Sequence, residues 1–473
     1  VRARPTFLLL GMLAGGCASS GDSTPDVPPP LQTNRVPFPI SSEIRPVGAI
    51  EPADPAINDL FTDRAELTEG ELIAQVLARN PTVAQMAAAA QAAAARYPQV
   101  TSLEDPRFGG FIAPASIGSR DVDFGYRVEV SQAFPFPGKL AIRGAGARQE
   151  AEAAAADLDG ARLALTEAAR AAFADYFLAA RSAEVIAEGL KLLGEFRENA
   201  AARYRAAQGE QQDVFQADVE IARQKERSLA VERRQRVTRA RLNTLVHRPA
   251  DAPLPPPPKT LGTADPLPPA AELRDLAARR RPDVAALRAR IGVEEAAVAS
   301  AVQEYNPDFE AMAAYDAWWQ RPERDLRPMV GLRLNLPIRT GRRDAAVAEA
   351  QARLAQRRAE LAKAVDQAGF EVQEAYEQVE EADRALKLYE ESALPAARES
   401  VRLARSSYTT GKIPFLTLIE AQRNLVGLRD RQFELQAEAR RRRAALDRAT
   451  GQPTPAAPMP PTQVLPPVTL SLP

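Results

Sequence analysis

The sequence carries one pattern twice, and that duplication restricts what the chain can fold into. The first copy runs VEVSQAFPFPGKLAIR, a long alanine-rich stretch, then RYRAAQGEQQDVFQADVEIARQK. The second runs VGLRLNLPIRTGRRDA, another long stretch, then SYTTGKIPFLTLIEAQRNLVGLRD. Pro137-Gly138-Lys139 aligns with Thr340-Gly341-Arg342, Gly209 with Gly411, and Arg79-Asn80-Pro81-Thr82-Val83 with Arg280-Arg281-Pro282-Asp283-Val284. Each match sets an offset of roughly two hundred residues, so the order helix, strands, long helix, helix occurs twice. That period is too long for a solenoid and points to two halves of a duplicated module side by side around an axis.

Between the prolines the composition is that of helix. Residues 139–208 contain no proline and are rich in Ala, Glu, Arg and Leu, all strong helix formers. A helix of that length would run roughly 100 Å at 1.5 Å per residue. Its counterpart after Gly341 shows how such a helix packs. Val365, Val372, Val379 and Leu386 recur every seventh residue, and Leu361, Ala368, Ala375 and Ala382 do the same four positions earlier. This alternating spacing is the seam of a left-handed coiled coil, with an alanine column that admits a close neighbour. Glu371, Glu374, Glu377, Glu380, Glu381, Arg384 and Lys387 form a solvated face. Pro395 is expected to bend or break this second helix.

The short non-helical segments alternate. Phe124, Tyr126, Val128 and Val130 fall on one face, against Gly125, Arg127, Glu129 and Ser131. Leu332, Leu334 and Leu336 alternate with Arg333 and Asn335. Phe309, Ala311, Ala313, Tyr315 and Ala317 oppose Glu310 and Asp316, with Trp318-Trp319 following, and Phe108 to Ala113 is a weaker fourth candidate. Apolar-out, polar-in alternation with aromatics near the ends is the pattern of a transmembrane strand, and it places Arg127, Glu129 and Arg333 toward a lumen. Four strands cannot close a barrel, and open edges are not tolerated in lipid. Several chains must therefore share one barrel, and three copies give twelve strands.

The N-terminus has the form of an export signal over residues 1–16, with Arg2 and Arg4 before the short apolar run Phe7–Leu13. Ala14-Gly15-Gly16-Cys17 resembles a lipobox, although Leu13 sits one place earlier than usual. Cys17 is the only cysteine, so acylation rather than a disulfide accounts for it. Residues 17–64 form a lipidated, proline-rich tether, 249–269 a proline-rich linker between the repeats 65–248 and 270–452, and 453–473 a proline-rich tail. With 61 basic and 62 acidic residues, nothing favours a nucleic-acid partner. The lone histidine, His247, cannot build a His/Cys metal site and reads as a surface residue at a helix end. No catalytic constellation, phosphate loop or cofactor motif is present, so the chain is expected not to be an enzyme.

The sets Gly209-x-x-x-Asp213-Val214-x-Gln216-Ala217 and Gly411-x-x-x-Phe415-Leu416-x-x-x-Glu420-Ala421, with the segment 281–284 and the turns at Gly138 and Gly341, resemble the TolC-type outer-membrane efflux channels over about residues 65–452. The resemblance implies a mostly α fold with a small transmembrane β part. Three copies would share a twelve-stranded barrel above a long coiled-coil tunnel, anchored in the outer membrane and extending into the periplasm. It implies a passive exit duct of a tripartite pump, partnered by a periplasmic adaptor and an inner-membrane transporter. It also implies that Gly209 and Gly411 mark the tip turns where the adaptor docks, each supplying a positive φ. The family's acidic pair falls here on Thr417 and Glu420, so only Glu420 contributes to a constriction ring, with Asp213 adding negative charge nearby. The turns FPFPGKL and GLRLNLPIRTGRR are most similar to the cation and heavy-metal efflux branch. Type I secretion uses the same fold, and a periplasmic coiled-coil structural or adaptor protein would share the helical pattern.

Overall fold

Proline and glycine set where the helices begin and end. The computed structural model describes residues 61, 64–120, 124–262, 266–316 and 328–452. Cys17, the tether apart from Phe61 and Arg64, Ala317, Trp318-Trp319 and the tail lie outside the described residues. The first repeat consists of α1 (Glu69–Arg79), α2 (Pro81–Thr101), β1 (Arg107–Ile112), β2 (Tyr126–Phe134), α3 (Lys139–Arg205) and α4 (Gln211–Leu245). The second consists of α5 (Ala270–Arg280), α6 (Pro282–Gln303), β3 (Phe309–Asp316), β4 (Met329–Leu334), α7 (Thr340–Leu388), a π turn (Tyr389–Ala393), α8 (Leu394–Thr409) and α9 (Phe415–Thr450). The 67 residues of α3 form one uninterrupted helix, about 100 Å long.

The duplication recurs in the hydrogen bonding at three places, with different residues. Asn80 caps α2, its Oδ1 accepting the Thr82 N–H at 2.9 Å, while its Nδ2 donates to the Leu245 carbonyl at 2.9 Å. In the second repeat Arg281 precedes α6 and donates to the Ala449 carbonyl at 3.5 Å. Both carbonyls belong to the end of the last helix of a repeat. The turn after α3 closes with Ala207 N–H to Tyr204 O and Gln208 N–H to Arg203 O; the turn after α8 closes with Gly411 N–H to Tyr408 O and Lys412 N–H to Ser407 O. The ends of α4 and α9 repeat this paired arrangement around His247 and Gly451. All four are Schellman turns with a left-handed residue at the first position beyond the cap.

These turns correct the sequence alignment. Gly411 lies 204 residues after Ala207, and Gly451 lies 204 after His247. The left-handed residue of the first tip is therefore Ala207 (φ 56°), not Gly209, and the positive-φ role expected of both glycines holds only at Gly411 (φ 73°). Ala207 and His247 are the non-glycine residues with positive φ among those described, both in the first repeat.

Pro395 does not break its helix. Backbone angles stay helical from Leu388 through Leu394, and the Leu394 N–H reaches back to Tyr389 O in the wider π turn. That turn makes room for the pyrrolidine ring and for the missing N–H. The proline-rich linker is not a loose spacer either. Pro256 O accepts the Leu67 N–H at 2.9 Å, Pro255 O accepts the Tyr176 hydroxyl at 3.0 Å, and Gly262 O accepts from Arg440 at 2.7 Å. It is a strap over a core built from Phe61, Leu72, Val76, Phe173 and Leu242.

The sheet has strand order β1-β2-β3-β4, all antiparallel. The helices keep the same linear order at every level. Near the sheet α2 packs on α3, α3 on α6 and α6 on α7; at the far end α4 packs on α3, α3 on α9, and α9 on α7 and α8. One flank is thus β1, α2 and α4, the other β4, α7 and α8.

The Schellman asymmetry makes a prediction. A non-glycine residue in the left-handed region costs about 1 kcal/mol, so Ala207→Gly should raise, and Gly411→Ala lower, the thermal dissociation temperature of the detergent-solubilised protein. Opposite signs, or no effect at either site, would contradict this assignment of the turns.

Candidate functional site

The helical tip farthest from the sheet brings together the ends of α3 and α8 and the starts of α4 and α9. Its core is Leu193, Phe196, Ala217, Tyr408, Phe415 and Leu418, and the Tyr408 and Phe415 rings lie 5.3 Å apart. Tyr408 is the point at which the two repeats are tied. Its hydroxyl donates to Asp213 Oδ2 at 3.1 Å. The Arg203 guanidinium lies 4.6 Å from its ring centroid and donates to its carbonyl and, at 3.1 Å, to Gln208 O. Arg203 therefore satisfies a carbonyl at the C-terminal end of α8 with a cation, where the helix dipole favours one. Burial, then the neighbouring Asp213 charge, pushes the Tyr408 phenol up to about 12.

The residues singled out in the sequence sit in distinct places here. Gly411 is the left-handed tip residue and Gly209 lies in the loop before α4. Asp213 is half-buried and engaged by Tyr408. Thr417 and Glu420 are exposed on α9, on the side away from buried Leu418 and Ile419. Glu420 has a cation near it: the Arg423 pKa is raised first by its bond to buried Glu220 and further by the Glu420 charge. Sequence reasoning missed Tyr408 and Arg203. The signal was the tyrosine pair Tyr204 and Tyr408, which the 204-residue register superposes and the glycine alignment did not.

A second cluster joins strand to helix. Buried Lys139, the first residue of α3, places Nζ 2.9 Å from Asp308 Oδ1, 3.4 Å from Glu304 Oε1 and 3.3 Å from the Asn306 carbonyl. Asp308 Oδ1 also accepts the Phe136 N–H at 2.7 Å. Burial alone would raise the Asp308 carboxyl; the Phe136 N–H and the Lys139 ammonium outweigh it and hold it below the ordinary range. A depressed carboxyl contributes stability above its unfolded pKa and loses it as pH falls through the folded value. This tie between the repeats therefore weakens in acid.

The sheet itself has two chemically distinct faces. Register puts Phe108, Val128, Val130, Ala313, Val330 and Leu332 on one. That face is open, with Phe108 75% and Val330 87% exposed. The other carries Arg127 and Glu129, paired at 3.0 Å, and Arg333 and Glu310, paired at 2.7 Å. Among the described residues no helix is long and apolar enough to cross a membrane, and no group of His, Cys, Asp and Glu is placed to hold a metal ion.

The second repeat from Leu273 onward matches the model of a family described as outer membrane efflux protein, over residues 273–452. No curated protein matches the sequence. Solved structures match over nearly the whole described length. CusC is 16% identical, covering 83% of this chain and 93% of its own, with a TM-score of 0.70. VceC of Vibrio cholerae is 20% identical, covering 81% and 96%, at 0.68. The open-state MtrE channel of Neisseria gonorrhoeae is 21% identical, covering 81% and 88%, at 0.69. These likenesses establish that the efflux-protein fold extends to the first repeat, beyond the matched residues.

The phenol at the tip yields a test. A raised phenol pKa means that the tie is complete below the unfolded value near 10 and is lost as pH rises toward 12. Tyr408→Phe should cost the net worth of one hydrogen bond, about 1 kcal/mol, and speed amide exchange across both tip turns. Ultraviolet titration of the variant should lack the most alkaline tyrosinate step; an unchanged titration would show Tyr408 to be free.

Proposed function

We propose that this chain is the outer-membrane channel of a tripartite efflux pump, a passive exit duct closed by three copies. The observation that carries this reading is the common linear order of sheet, upper helices and lower helices, with both flanks unpaired at every level. Magnitudes favour closure by further copies. Each edge strand has six residues, so a bare edge in lipid strands roughly three N–H and three C=O groups, each costing several kcal/mol. That exceeds the roughly 5–15 kcal/mol of a typical domain. Three copies pair every edge in a twelve-stranded barrel, and the apolar face then meets lipid while the Arg127–Glu129 and Arg333–Glu310 pairs line the lumen.

The helical walls continue that lumen as a tunnel, and the chain contributes no energy source of its own. An inner-membrane transporter supplies it, and a periplasmic adaptor joins the two at the tip. Exposed Tyr204, Phe215 and Leu416 surround the turns at Gly209 and Gly411 and offer apolar anchors for that adaptor. Acylated Cys17 adds an outer-membrane anchor. Glu420, exposed on α9, gives one carboxylate per copy, and a ring of three near the mouth favours cations. The resemblance of the strand-to-helix turns to the heavy-metal branch supports metal cations as the cargo class to test first.

Two measurements test this. Native mass of the detergent-solubilised protein should show three copies, with acyl mass at the mature N-terminus; a buffer-soluble monomer would end the proposal. Planar-bilayer recordings should show cation preference that weakens in Glu420→Gln, whereas unchanged selectivity and unchanged block by multivalent cations would remove Glu420 from the constriction.

A further inference from the structure

We infer that the lower tunnel wall is closed from copy to copy by an electrostatic seam, the cationic free flank of α4 meeting the anionic flank of α7 and the π turn of a second copy of this chain. The inference rests on the trimeric reading above and adds the residues that make the joint.

The two flanks are complementary and neither is satisfied within its own chain. On α4, Arg227, Arg233, Arg234 and Arg236 are exposed and have no carboxylate partner among the described residues. Leu229 and Val237 lie exposed among them. On the opposite flank Glu374, Glu377 and Glu390 are exposed with no cation paired to them among the described residues, although Glu377 accepts from the Gln373 amide at 2.8 Å and Glu390 from the Gln432 and Gln436 amides at 3.2 Å. Leu388 is 62% exposed in the same stretch. Other acids of that flank are already held by arginines of α9, Glu381 by Arg442 at 2.8 Å and Asp383 by Arg443 at 2.6 Å. The free arginines cannot reach the free glutamates of their own chain, because α3 and α9 stand between the flanks. The Asp213–Tyr408 bond joins α4 to α8 only at the tip.

Heights above the tip agree. Counting from Gln211, Leu229 stands about 27 Å up α4 and Val237 about 39 Å. Counting back from Thr409, Leu388 stands about 31 Å up, between them, and Glu390 about 28 Å, between Arg227 and Arg233. Glu377, at about 48 Å, lies about 10 Å beyond Arg236, at the upper end of the seam. A flank that fits the opposite flank of the next copy is a head-to-tail interface, which closes into a ring when the rotation allows. Exposed ion pairs are individually weak, about 0.2–1 kcal/mol. The seam therefore sets register and answers to salt, while the barrel holds the ring together.

The test is disulfide trapping in a Cys17→Ser background. Leu229→Cys with Leu388→Cys should give covalent dimers and trimers on oxidation, and neither single variant should. Adding Arg233→Glu and Arg234→Glu, or raising salt until the Debye length falls to about 3 Å, should lower the yield several-fold. Glu377→Arg with Glu390→Arg should restore it in the charge-reversed protein. Trimers by native mass that never cross-link, or cross-linking indifferent to every charge reversal, would overturn the seam while leaving the trimer intact. A wild-type chain that is not a trimer would instead remove the reading on which the seam rests. Unchanged cross-linking with loss of adaptor co-purification would assign the α4 flank to another partner and overturn the proposal.

Discussion

Unpaired flanks are the constraint on which the rest of this structure depends. The described residues form a curtain four strands wide in the sheet and four helices wide below, with α1, α5 and the linker strap packed on it. The sheet has no inside of its own: it leaves Phe108, Val330 and Leu332 open on one face and its ion pairs on the other. In the proposed trimer one face meets lipid and the flanks meet copies of themselves, and a geometry that would be a liability in a soluble monomer becomes a pore wall.

Within the curtain, α3 is the shared spine. It touches α1, α2, α4, α6 and α9, and its buried face includes Ala169, Ala172, Ala174 and Ala179, small enough to let neighbours approach closely. The two repeats are then pinned across it at each end. Lys139 and Asp308 do this where strands become helices, and Tyr408, Asp213 and Arg203 do it at the tip. Between them, Arg281 pairs with Asp283 at 2.7 Å and Glu371 at 2.5 Å, and its guanidinium pKa is raised first by the Asp283 bond. Charged ties of this kind, set among alanine seams, fix which helices face each other; alanine contacts alone would tolerate sliding.

Much of this was legible in the sequence. The proline-free stretch became α3, the heptads of α7 placed Ala368, Val372, Ala375 and Val379 in the buried seam, and alternation found all four strands. Four features were not legible, for physical reasons. Helix C-termini are recognised by glycine, and the first repeat uses Ala207 and His247 instead, so the tip register slipped by two residues. A proline inside a helix reads as a break, yet a π turn absorbs Pro395. Proline-rich segments read as spacers, but carbonyls of 255, 256 and 262 accept hydrogen bonds from three separate parts of the chain. At the tip, Asp213 was visible as a charge; that its partner is a tyrosine some two hundred residues away is a fact of packing that no local pattern encodes.

The central claim is that the flanks of the sheet are paired in the working protein. Amide hydrogen exchange of the full-length protein in detergent micelles or bilayer nanodiscs measures this directly. The backbone N–H groups of β1 and β4 that β2 and β3 do not bond should be protected as strongly as those of the two central strands, because another copy accepts them. Rapid exchange confined to those outward-facing amides, with β2 and β3 protected, would show open edges and contradict closure of the barrel between copies.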